Sequence, residues 1–214
     1  MPVVGPLVFA AAALSGWPGP LVQGGGLLIG VLGLLGAAAA HRASRSATPA
    51  GRQVMFELGS LWMAVPLALL MALKLSSASD GTWDPAPLVL LALVPIWVGD
   101  TAAIFVGRAF GKTPFAPKIS PKKTWEGAIA NLAGCVVAAA GIGSAIGVPL
   151  GISLACGVAC GTLGQAGDLF QSSLKRAVDA KDSGSLLPGH GGILDRIDSL
   201  LFAAPAVAML LGVR

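Results

Sequence analysis

The run Gly151–Asp198, GISLACGVACGTLGQAGDLFQSSLKRAVDAKDSGSLLPGHGGILDRID, changes character along its length. Its first half is apolar and rich in small residues. From Asp168 onward acids, bases and hydroxyls accumulate, and Gly184, Pro188, Gly189, Gly191 and Gly192 then interrupt any helix. A helix entering at Gly151 and continuing to about Asp182 is about 30 residues, or roughly 45 Å, long and overshoots a hydrocarbon core of roughly 30 Å. Ionised side chains are costly at membrane depth, so the charged half belongs at and beyond the interface, where it needs a partner or a task. The pattern predicts a helix that crosses a bilayer, a polar break, and a return helix opened by Asp195 and Asp198.

The rest of the 214-residue chain fits that setting. Apolar residues make up 55% and charged residues 11%, with a mean hydropathy of +0.80, a composition of polytopic membrane proteins rather than soluble domains. Apolar runs fall at roughly 3–17, 21–40, 54–75, 87–107, 127–147, 151–170 and 197–213, each near the length a helix needs to cross a bilayer. The predicted fold is therefore all-α: a polytopic integral membrane protein of about seven helices. No basic n-region precedes the first run, so it is expected to be retained, although Pro2 and Pro6 make it the weakest span.

All but Lys74 and Arg214 of the 14 Lys and Arg lie in or beside three polar segments, 41–53, 107–126 and 171–196. The connection on the other side carries Asp80 and Asp84 instead, so the positive-inside rule puts the polar segments together in the cytoplasm, with the amino terminus inside and the carboxyl terminus outside. The net charge of +4 thus reads as topology and headgroup attraction, not as nucleic-acid binding. Cys135, Cys156 and Cys160 have no CxxC partner or nearby histidine and read as packing residues. The pairs Gly26/Gly30 and Gly157/Gly161 have a spacing that lets helices approach closely, and packing within one subunit is the expected use.

On a continuous helix Asp168, Ser172, Lys175, Asp179 and Asp182 share one face, and Asp195 and Asp198 share a face of the next helix, able to turn back toward Asp168. Carboxylates with few histidines and no thiolates favour a hard ion such as Mg²⁺, which keeps waters and shares its other positions with substrate phosphates. Lys175, Arg176, Lys181 and Arg196 are candidates to hold phosphate oxygens. The second polar segment, GRAFGKTPFAPKISPKKTWEG (Gly107–Gly127), reads as a phosphate or headgroup clamp through Lys118, Ser120, Lys122, Lys123 and Thr124. Its Gly111-Lys112-Thr113 is no P-loop, because Val106 stands where that motif requires glycine. Asp100 sits inside a span and is a candidate site residue, with a lysine or arginine of a neighbouring helix as the structural alternative. Glu57 is expected at the interface, and His41 has no recognisable partner. His190, in the glycine turn, is a hydrogen-bond donor to phosphate, a proton shuttle or a turn cap.

The stretch from Ser172 to Asp198 resembles the signature of the phosphatidate cytidylyltransferases, also called CDP-diacylglycerol synthases. The resemblance extends to Gly167–Phe170 (GDLF) and to Gly99–Gly127, about half the chain. Members of that family are usually longer, with further amino-terminal spans, and residues 1–85 carry little that matches. The resemblance implies a multi-pass membrane enzyme, generally a homodimer in the plasma membrane with its site facing the cytoplasm. It would use divalent metal to convert CTP and phosphatidate into CDP-diacylglycerol and pyrophosphate. It also implies a single transmembrane catalytic domain over 1–214, with 86–214 as its core. The expected metal ligands are Asp168 and Asp195, with Asp198 and Asp100 in second rank for Mg²⁺ or a second ion. Lys175 and Ser172 join the two aspartates in the catalytic set.

Two other activities fit parts of the pattern. Asp100 and Asp168 as intramembrane ion sites would suit a channel or transporter. A CTP-dependent lipid kinase would use similar phosphate chemistry but transfer the γ-phosphoryl group. The DGxxAR pattern of CDP-alcohol phosphotransferases does not occur in the chain.

Overall fold

The computed structural model describes residues 66, 67, 69, 70, 87–177 and 194–212. Within them the chain runs α1 (Leu90–Phe110), β1 (Pro114–Ala116), β2 (Ser120–Thr124), α2 (Trp125–Ala145), α3 (Leu150–Ala177) and α4 (Leu194–Leu210). The expected spans at 3–17 and 21–40, and nearly all of 54–75, lie outside the described residues. So do Gly26, Gly30, His41, Glu57, Asp179, Lys181, Asp182, the glycine break and His190.

The described part is mostly helical. Helices α1, α2 and α3, the last through Arg176, are long and apolar enough to cross a bilayer, while the apolar stretch of α4, Ile197–Leu210, is shorter. One departure from the all-α expectation lies in the second polar segment. It folds into an antiparallel hairpin pairing Pro114 with Thr124 and Ala116 with Ser120, with an irregularity between them. Pro114 and Pro121 cannot donate to a ladder, but they are tolerated in a two-stranded ribbon whose strands are both edges.

Consecutive helices pack on one another, α1 on α2, α2 on α3 and α3 on α4. Small residues make this possible. A methyl group on Gly157 would lie 2.6 Å from Val136 Cα, and one on Gly161 2.8 Å from Leu132 Cα. The Gly157/Gly161 pair is therefore used for packing inside the subunit, as expected. Between α2 and α3 the chain reverses at Gly147, whose φ of 79° is open to glycine at little cost, and Val148 N–H closes the turn on Gly143 O at 2.8 Å.

Pro95 inside α1 cannot donate to Leu91 O one turn earlier, which leaves that carbonyl without its helical partner. The thiol of Cys160 on α3 faces this gap, 3.6 Å from Leu91 O, and Cys135 on α2 donates to Pro95 O at 3.2 Å. All three cysteines are buried and free, and they form a core with Leu91, Ala92, Ala139, Ala203, Ala204 and Val207. Outward-facing Trp97, Phe105, Ile129 and Val137 are exposed. On the same outer surface Thr101 and Thr162 turn their hydroxyls back to Trp97 O and Val158 O, each at 2.7 Å. A lipid-facing hydroxyl must satisfy itself in this way.

Candidate functional site

The hairpin is locked to the start of α2. Thr124 ends β2 with extended backbone and accepts from Gly127 N–H at 3.2 Å, capping the helix. Glu126 in the first helical turn receives Thr113 N–H at 3.2 Å and its hydroxyl at 3.2 Å, and Trp125 N–H donates to Thr113 O at 3.0 Å. Phe115 meets Trp125 edge to face with centroids 4.5 Å apart. From α3, Arg176 Nε donates to Ile119 O at 3.4 Å, which ties the hairpin tip to the end of that helix.

Neighbouring residues of a strand point to opposite sides, and the two lysines of β2 differ accordingly. Lys122 is exposed, whereas Lys123 is half-buried and forms an ion pair with Asp168 Oδ2 on α3. One turn further along α3, Ser172 Oγ donates to Asp168 Oδ1 at 3.3 Å. Beyond it, Lys175 Nζ lies 2.7 Å from Asp195 Oδ1 of α4, and Gln171 Nε2 donates to the same oxygen at 3.4 Å. On α1, Asp100 Oδ1 accepts from Asn131 Nδ2 of α2 at 2.9 Å. Asp198 on α4 is buried, and its Oδ1 receives Ser199 N–H at 2.7 Å. Asp168 and Lys123 act electrostatically on both Asp100 and Asp198, and Lys175 acts on Asp198. Acids from α1, α3 and α4 and lysines from the hairpin and α3 thus form one charged centre. The second polar segment and the end of α3 share one side, as the charge pattern required.

The structure places most of the sequence candidates there. Asp168, Ser172, Lys175 and Asp195 are joined by the contacts above, with Asp100 and Asp198 within electrostatic range. Ser120 is half-buried in β2, while Lys118 and Lys122 are exposed and form no ion pair among the described residues. Thr124 is engaged as a helix cap. Lys181 and His190, and the side chain of Arg196, are not described. Asn131 and Gln171 were missed. Asn131 is the chain's only asparagine, and a lone amide in an apolar span is, like Asp100, a polar group that needs a partner there. Among the described residues Asp100 takes its hydrogen bond from this amide, with Lys123 acting on it only through its charge.

Among the described residues no three of His, Cys, Asp and Glu come together as a metal cage. The donor chemistry nevertheless fits Mg²⁺, which needs only one or two carboxylates when waters and substrate phosphates complete its shell. Asp168 and Asp195 each already grip a cation, Lys123 and Lys175.

Residues 7–213 match the model of the cytidylyltransferase family. The chain belongs to that family. The match reaches back to residue 7, well beyond the two motif regions. Phosphatidate cytidylyltransferases of Bacillus subtilis and Haemophilus influenzae are similar to it. The first is 42% identical over 125 residues, covering 58% of this chain and 46% of the relative. The second is 38% identical over 160 residues, covering 72% and 54%. Phosphatidate cytidylyltransferase 5 of Arabidopsis thaliana, a chloroplast protein, is 47% identical over 116 residues, 53% of this chain and 29% of the relative. The chain spans about half the length of the two bacterial relatives.

Proposed function

We propose that this member of the family transfers CMP from CTP to phosphatidate, giving CDP-diacylglycerol and pyrophosphate. The carrying observation is the charged centre in which Lys123–Asp168–Ser172 and Lys175–Asp195 meet at one end of apolar helices. Diacyl tails can stay in lipid there while a nucleotide enters from water. A phosphate oxygen of phosphatidate attacks the α-phosphorus of CTP, and a bond from that phosphorus to oxygen forms. The bond to the oxygen bridging the α- and β-phosphorus breaks, and its electron pair leaves with pyrophosphate. No protein nucleophile is needed.

Asp168 and Asp195 would hold Mg²⁺, with Asp100 and Asp198 as further candidates, including for a second ion. When bound, the ion supplies neutralisation of the triphosphate charge. Lys123 and Lys175, already positioned by those carboxylates, stabilise charge gathering on the leaving group, and Ser172 orients a phosphate oxygen. Lys118, Lys122, Arg176, Lys181, His190 and Arg196 are the candidates to bind lipid or nucleotide phosphate. The basic segments favour a cytoplasmic site in a multi-pass protein of the plasma membrane, and the family resemblance favours 86–214 as its core and a homodimer as its assembly.

The test is the fate of labelled CTP added to the full chain in phosphatidate-containing vesicles. Label from the α-phosphorus is expected in lipid, with γ-label released as pyrophosphate. Label from the γ-phosphorus in lipid would mean a lipid kinase, and ion flux with no labelled lipid would mean a channel or transporter.

A further inference from the structure

Gln171 is 2% exposed, and the two ends of its amide are treated differently. Nε2 donates to Asp195 Oδ1 at 3.4 Å, the oxygen that Lys175 Nζ also takes at 2.7 Å. Oε1 is buried with no hydrogen-bond partner among the described residues. An orphaned buried carbonyl is destabilising and rare, and a leucine in its place would remove the loss. Departures of this kind concentrate where function outweighs stability. Gln171 and Lys175 lie four residues apart on α3 and therefore share a face one turn apart. The Lys175 ammonium and the Gln171 amide thus meet at one oxygen of Asp195.

Building on the activity proposed above, we propose that Gln171 is a positioning residue for Lys175. Its Nε2 steadies Asp195, and its Oε1 is the second acceptor that receives the ammonium when substrate engages Asp195. Lys175 then stays at the charged centre throughout turnover.

The test compares wild-type full chain with Gln171→Leu, which has neither donor nor acceptor, and Gln171→Glu, which keeps the acceptor. Thermal unfolding without nucleotide is measured alongside kcat and KM for CTP. The leucine variant is expected to unfold at or above the wild-type temperature while kcat falls roughly tenfold or more with little change in KM. The glutamate variant should recover most of that kcat. Wild-type kcat in the leucine variant would overturn the proposal, as would stability and kcat falling together with no recovery by glutamate. Should the leucine variant fail to fold, the glutamate variant decides, since a loss of kcat as large as about tenfold there also overturns it. A wild-type chain that labels no lipid would instead count against the parent activity.

Discussion

Asp168→Asn is expected to lower labelled-lipid formation by roughly a thousandfold or more while leaving the protein folded, because it removes a charge from the centre without removing its shape. The carboxylate accepts from both Lys123 and Ser172. An asparagine oxygen can still accept one of these bonds, but it carries no net charge to balance Lys123 or to draw a cation. The stability cost should be small. The Lys123 and Asp168 side chains are 28% and 33% exposed, and ion pairs this accessible contribute about 0–1 kcal/mol. Circular dichroism and thermal unfolding of the variant in detergent check the fold, and α-labelled CTP checks the rate. Activity near wild type would remove Asp168 from the machinery.

Lys175→Met should do more harm to the fold. Lys175 and Asp195 are only 17% and 11% exposed, and removing the lysine from so largely buried a pair costs roughly 3 kcal/mol because the carboxylate loses its bound ammonium. Loss of activity in that variant alone would therefore be uninformative. The double variant Lys175→Met with Asp195→Leu separates the two effects, since replacing both charges with apolar groups of similar size is often neutral for stability. Thermal stability is expected to return close to wild type while lipid labelling stays absent. A double variant that regains both would make the pair a structural bridge and nothing more.

The helical hairpin and its charged stripe were legible in the sequence because both rest on local periodicity. Asp168, Ser172 and Lys175 recur at helical spacing, and the excess length of α3 over a hydrocarbon core follows from rise per residue. The small-residue pair Gly157/Gly161 and the three cysteines were legible for the same reason. What escaped were partnerships across long stretches of chain. Nothing local says that Lys123 rather than Lys122 meets Asp168, because strand alternation decides it and prolines disguised the strand. Pairing of Lys175 with Asp195 depends on how α4 returns, and the vacancy at Leu91 O, faced by Cys160, depends on helices far apart in sequence. The cap that Thr124 makes was hidden because hydroxyls serve caps and ligands alike. The glutamate that follows it in the first helical turn was the available sign of a cap.

The most direct test asks whether Asp168 of α3 and Asp195 of α4 serve a single site. CTP affinity in the presence of Mg²⁺ should be measured for the full chain, for Asp168→Asn, for Asp195→Asn and for the double variant. A shared site gives strong coupling, of about 1–3 kcal/mol, with the double variant binding hardly more weakly than the worse single one. Losses that simply multiply, as for two independent positions, would contradict it.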